Sequence, residues 1–220
     1  LGGSVGFDAA GNVFATMGVN GNNSDEVLMI RAGDIGNPVP GTRENPVRLF
    51  KNVAEQSHGI AATGINGARG LAVKNGQAIV MDAGGRVLWW DDLASLTDGK
   101  AASGYLTHLN TFQSITDFWM RSAGITNCVM KADADGKHLW ITVEGVHIDP
   151  PSIVCYALPL SMDGGPPEPL MRLTGPFNVL DGSAPISLGA FQYGLAPNAD
   201  STELWVSQQG ENRAFRLRLP

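Results

Sequence analysis

Four near-evenly spaced copies of one short pattern constrain this chain more than any other feature of it. An apolar or aromatic tetrapeptide recurs as Val13-Phe14-Ala15-Thr16, Ala78-Ile79-Val80-Met81, Leu139-Trp140-Ile141-Thr142 and Leu204-Trp205-Val206-Ser207. The copies begin 65, 61 and 65 residues apart. A turn-forming cluster precedes each one: Asp8 to Asn12, Lys74-Asn75-Gly76, Asp133 to Gly136, and Asn198 to Ser201. Apolar runs this short, bounded by Asn, Asp and Gly, read as strands rather than helices. The turn residues accept φ > 0 and cap their own backbone, as a tight hairpin requires. A repeat of this kind means supersecondary units that bury their faces on one another.

The stretch 67–92, GARGLAVKNGQAIVMDAGGRVLWWDD, shows one unit in compact form. Three apolar runs are separated there by two Gly-bearing turns. A third strand follows each marker, at Val27 to Ile30, Val87 to Trp90, Ile153 to Leu158 and Ala214 to Leu219. A fourth follows only the first three, at 46–52, 105–111 and 169–174. Four antiparallel strands per unit define the blade of a β-propeller. The expected architecture is therefore all-β, one propeller domain over 1–220 with about four blades at roughly 3–55, 67–115, 127–175 and 192–220. The fourth unit stops at its third strand and the chain opens on a first strand, Ser4 to Phe7. This predicts the C-terminal part of a larger ring of six to eight blades. A further segment, a second chain or a protein partner is expected to complete it and cover the exposed edges.

The second unit resembles the NHL-type propeller blade, through Gly70-Leu-Ala-Val73 and Asp82-Ala-Gly-Gly-Arg86-Val87. The first unit shares the pattern in Gly3-Ser-Val-Gly-Phe-Asp8 and Gly11-Asn12, whereas the third and fourth keep only the strand–turn–strand outline. The resemblance implies a propeller and carries almost nothing about activity.

Composition removes several classes. Net charge is −6 and the 15 basic residues are scattered, so the basic stripe of a nucleic-acid binder is absent. No apolar run approaches the length of a membrane-spanning helix, and no signal segment opens the chain. Five lysines against ten arginines, with Leu1 in first place, suggest a processed chain that is secreted, periplasmic or at the cell surface.

Few residues suggest chemistry. Cys128 and Cys155 fall on the first and third strands of one unit, two strand spacings apart, which favours two buried thiols over a disulfide. A disulfide remains open if either lies in a loop. His58, His108, His138 and His147 form no metal-ligand pair. No Gly-x-Ser-x-Gly elbow or phosphate-cradling Gly-rich run exists. Trp140 and Trp205 occupy equivalent positions and should both pack between blades. Trp89 and Trp90 point to opposite faces, which leaves one free for a contact patch.

Propeller ligands bind at the central channel. The loops entering first strands and those joining second to third strands share one face. That face gathers Asn22, Asn23, Asp25, Asp82, Glu144, His147, Gln208, Glu211 and Asn212, with His58, Arg69, Asn127 and Gln192 from the entering loops. His58, Arg69, Asp82, Asn127, Glu144 and His147 are the candidate ligand-binding set. Its oxygen-rich character suits calcium, although no calcium-loop spacing is present and no metal is assigned.

Two functions follow. One is a non-catalytic propeller serving as an interaction or structural module. The other is a calcium-dependent hydrolase, lactonase or lyase acting on a small molecule at the channel, as in gluconolactonase-like propellers.

Overall fold

The computed structural model describes residues 4–16, 27–36, 47–48, 68–82, 87–97, 100–106, 129–143, 151–178, 184–188, 192–208 and 212–219. These residues form strands with two short 3-10 turns and no α-helix. The strands assemble into separate antiparallel sheets in chain order. The first contains β1 (Val5–Phe7), β2 (Val13–Thr16), β3 (Val27–Ile30) and β4 (Val47–Arg48). The second contains β5 (Ala68–Lys74), β6 (Gln77–Asp82), β7 (Val87–Trp90) and β8 (Gly104–Leu106). The third contains β9 (Met130–Ala132), β10 (His138–Val143), β11 (Ser152–Ala157) and β12 (Met171–Leu173). The fourth contains β13 (Gln192–Pro197), β14 (Glu203–Gln208) and β15 (Arg213–Arg218). The repeat spacing in the sequence thus marks real blades, and the missing fourth strand of the last unit is missing from its sheet among the described residues.

Turn chemistry explains each first hairpin. The Asp8 carboxylate accepts bonds from the backbone N–H of Ala10 and Asn12, both at 2.9 Å. Asp133 does the same for Lys137 (2.8 Å) and His138 (3.1 Å), and Asn198 accepts from Glu203 N–H at 2.8 Å. The second blade closes its turn instead through Asn75 and Gly76, both with φ > 0. The loop 161–169 joins β11 to β12, as an excursion within one blade.

The sheets stand around a common axis. The first strands touch in succession, β1 against β5, β5 against β9, and β9 against β13. Crowding there is severe. A Cβ on Gly6 would lie 2.7 Å from Val73 Cγ2, and one on Gly70 would lie 3.2 Å from Met130 Cβ. Each sheet therefore has a front face toward the preceding blade and a rear face toward the next. Phe14, Val27 and Met29 on the first rear face pack with Leu71, Val73, Ala78, Val80, Leu88 and Trp90 on the second front face. Ile79, Met81, Val87 and Trp89 on the second rear face meet Met130, Leu139, Ile141, Val154 and Tyr156. Trp140, Ile153 and Cys155 on the third rear face meet Leu195, Leu204, Val206 and Leu217. Alternation along each strand sends successive side chains into different interfaces.

Two sequence expectations need correction. Trp89 and Trp90 do point to opposite faces, but both are buried, because a middle blade has a neighbour on each side. Trp205 is the reverse case. It aligns with Trp140, which is 1% exposed, yet is itself 51% exposed, since no further blade lies on the fourth sheet's rear face among the described residues. Cys155 is a buried free thiol opposite Trp140. Cys128 and His108 lie outside the described residues.

Candidate functional site at the channel mouth

Strand register defines the end of the propeller where a channel ligand would enter. Ala68 pairs with Asp82, Gln192 with Gln208, and Val143 with Ser152. Starts of first strands, ends of second strands and starts of third strands therefore share one end of the blades, as expected. Arg69 belongs to β5 and Asp82 to β6, so the backbone brings these two candidates to the same corner of the second blade. His58, Asn127, Glu144 and His147 lie outside the described residues, as do Asn22, Asn23, Asp25 and Glu211.

A register shift at this mouth went unnoticed in the sequence. The ladder skips one residue between Ala68 and Gly70 and again between Gln192 and Gly194. The skipped residues are Arg69 and Tyr193, at matching places in Arg69-Gly-Leu-Ala72 and Tyr193-Gly-Leu-Ala196. Such irregularities in a ladder concentrate beside functional sites. Tyr193 thus joins the candidates, and the shared Gly-Leu-Ala was the signal that marked it.

Other polar groups at this end are engaged in structure. Gln208 is buried and its Oε1 accepts from Arg213 Nη2 at 3.3 Å, while the same nitrogen donates to the Ser187 carbonyl at 3.1 Å. Asn212 adopts a left-handed φ of 48° at the turn into β15. No group of three or more His, Cys, Asp or Glu capable of holding a metal occurs among the described residues.

The opposite, hairpin end carries two further features. A recess of about 920 Å³ opens between the first two blades, walled by Phe7, Val73, Leu93 and Pro159 with Lys74 and Asp91 among its polar groups. Those polar groups are tied down. Lys74 Nζ donates to the Ala134 carbonyl at 3.2 Å, and Asp91 Oδ1 accepts from Gln77 Nε2 at 2.7 Å.

The second feature is a Ser, His and Asp cluster. Asp133 Oδ2 accepts from Ser201 Oγ at 2.9 Å and lies 2.7 Å from His138 Nδ1. Trp140 Nε1 donates to Ser201 Oγ at 3.1 Å. A nucleophilic triad needs the imidazole between the hydroxyl and the carboxylate. Here both contact the carboxylate, and the hydroxyl serves it directly. The cluster is a polar seam between the third and fourth blades. Burial disfavours charge on Asp133, but bonds from His138, Ser201 and Lys137 outweigh it and hold its carboxyl below the usual value. Cys155 is no nucleophile either, since burial and then the charge of Asp133 push its thiol up to about 12.

Comparison with known proteins agrees with the geometry. No protein-family model matches the chain, and no curated protein matches it in sequence. Among solved structures, the chain is similar to a candidate 6-phosphogluconolactonase from Bacteroides fragilis, at TM-score 0.54 and 12% identity over 98% of this chain and 49% of that one. It is also similar to the β-propeller domain of Cps50 (Swd1) from Myceliophteria thermophila, at TM-score 0.51 and 11% identity over 99% and 53%. The chain spans about half the length of these neighbours. At such identity they show the fold alone, and the fold is a partial β-propeller.

Proposed function

We propose that this chain is a non-catalytic propeller that works as a protein-interaction or structural module of an exported or surface assembly. One observation carries the reading. The rear face of the fourth sheet presents Trp205, 51% exposed, at the position where Trp140 of the third blade is buried. An exposed Trp with an arginine over its ring is the kind of anchor that protein interfaces use. The propeller similarities include both a candidate lactonase and a domain of a different kind, and a shared fold does not choose a function. Kinship of stretch 67–92 with NHL-type blades belongs to this reading as well.

The second reading is a calcium-dependent lactonase or lyase, and a specific observation favours it. The pairing of Ala68 with Asp82 and the ladder irregularity at Arg69, both at one end of the second blade, support it. Metal analysis of the purified chain, together with lactone and aryl-ester assays in added calcium, separates the two. Absence of bound calcium and of turnover is expected. Calcium-dependent turnover lost in Asp82→Ala would overturn the interaction-module reading.

A further inference from the structure

Five large apolar side chains are exposed among the described residues, and one of them stands apart. Val5, Phe7 and Ile35 belong to the first blade and Trp205 to the fourth. Leu170, 59% exposed, belongs to the third blade, which packs against a neighbour on each side. Its exposure is therefore independent of where the blade array stops. Leu170 closes Asp163-Gly164-Gly165-Pro166-Pro167-Glu168-Pro169-Leu170, in the excursion that joins β11 to β12. Three of the chain's 13 prolines stand within four consecutive positions there.

Both roots of this loop are fixed. Gln77 bonds the Leu160 carbonyl at 2.7 Å and the Leu160 N–H at 2.9 Å, and Met162 packs against the core between the second and third blades. Gly165 N–H donates to the Met162 carbonyl at 3.0 Å, and Leu170 N–H donates to the Cys155 carbonyl at 2.8 Å. No helix or strand occurs between β11 and β12. Proline fixes its own φ and pushes the residue before it toward extended backbone. Pro166 and Glu168 each precede a proline, so the sequence from Pro166 to Pro169 favours polyproline II geometry. At three residues per turn, Pro166 and Pro169 share one ridge, and Pro167 and Leu170 share a second. Each ridge has one exposed member and one half-buried member, and Glu168 between them is exposed.

We propose that this loop is a ligand segment, recognised by a proline-binding domain of a partner protein through an aromatic-lined groove. The proposal rests on the interaction-module reading and names a partner class for it. Such grooves select peptides that are already extended, because little entropy is then lost on docking. A loop pinned at both roots carries that advantage further than a free peptide does. Stiffening of the loop accounts for the prolines but not for an exposed Leu at their end. Asp163 and Glu168 are the charged residues between Ser161 and Leu170, so the chemistry fits a groove with a basic rim.

Titration of the 220-residue chain into isotope-labelled SH3 and WW domains tests this, read as chemical-shift changes in each domain. Saturable shifts in the aromatic groove of at least one domain are expected. Pro166→Ala combined with Pro169→Ala, and separately Leu170→Ser, should each weaken binding roughly tenfold or more. Circular dichroism melts that match the unmodified chain would show that these variants still fold. A synthetic peptide of residues 161–171 should bind more weakly than the chain, since only the folded chain pins the loop. Trp205→Glu should bind as the unmodified chain does. Binding by neither domain overturns the proposal, as do shifts confined to surfaces outside the groove. Affinity unchanged in the loop variants, or lost in Trp205→Glu, also overturns it. Any of these results leaves the interaction-module reading standing on Trp205. Turnover on lactones or esters sinks that reading whatever the loop binds.

Discussion

Trp140 and Trp205 are the same residue type at the same place in two successive blades, with opposite surroundings. Trp140 is enclosed between the third and fourth sheets, bonded through its indole N–H to Ser201 and facing Cys155 across the strands. Trp205 faces solvent with Arg216 over its ring. Position within a blade therefore decides which face a side chain joins. Position of the blade in the array decides whether that face is buried. The repeat encodes the first and cannot encode the second.

The largest expected effect breaks the comparison directly. Trp140→Ala removes a fully buried indole together with the bond its N–H donates to Ser201 Oγ, so chemical denaturation should show a loss of about 3–5 kcal/mol. Trp205→Ala should cost only about 0.5 kcal/mol, as for other exposed positions. If the two variants lose equal stability, the assignment of buried and exposed blades is wrong.

A smaller effect is expected at Gln77, which ties the middle blades together. Its side chain is buried, donates to the Leu160 carbonyl at 2.7 Å and to Asp91 at 2.7 Å, and accepts from Leu160 N–H at 2.9 Å. Gln77→Ala leaves both Leu160 backbone groups without these bonds. A loss of about 1–3 kcal/mol in the denaturation midpoint analysis is expected. Gln77→Glu should cost at least as much, because a buried carboxylate would then face the Asp91 carboxylate and the Leu160 carbonyl that Nε2 now serves. No comparable bond holds the Ser207 side chain among the described residues, so Ser207→Ala should leave stability nearly unchanged.

Much of this architecture was legible in the sequence. Strands could be placed because each is a short apolar run between turn residues, and Asp8, Asp133 and Asn198 announce their hairpins by chemistry that acts within five residues. Burial of Trp90 was not legible, because it depends on the preceding blade's Phe14 and Met29, 76 and 61 residues away. The Asp133–Ser201 bond spans 68 positions, and only the fold brings those turns together. For the candidate site, the backbone pairing brings Arg69 and Asp82 to one end of the second blade, as the repeat pattern implied. It overlooked Tyr193, because a one-residue ladder shift leaves no mark except the repeated Gly-Leu-Ala beside it.

The smallest expected effect concerns pH and again separates a buried seam from an open face. The Asp133 carboxyl is held below its usual value in the folded chain, so the unfolded chain binds its proton more readily. The stability it contributes is fully present above the unfolded value, near 3.8, and is lost as pH falls through the lower folded value. Asp200 is lowered too, chiefly by its bond with Thr202, but its carboxylate is fully exposed and its effect should be negligible. Melting temperature measured from neutral pH down to about 2.5 should therefore fall less steeply in Asp133→Asn than in the unmodified chain. Asp200→Asn should follow the unmodified curve. If the two variants exchange behaviours, the third-to-fourth blade seam is not where the acid-sensitive contact lies.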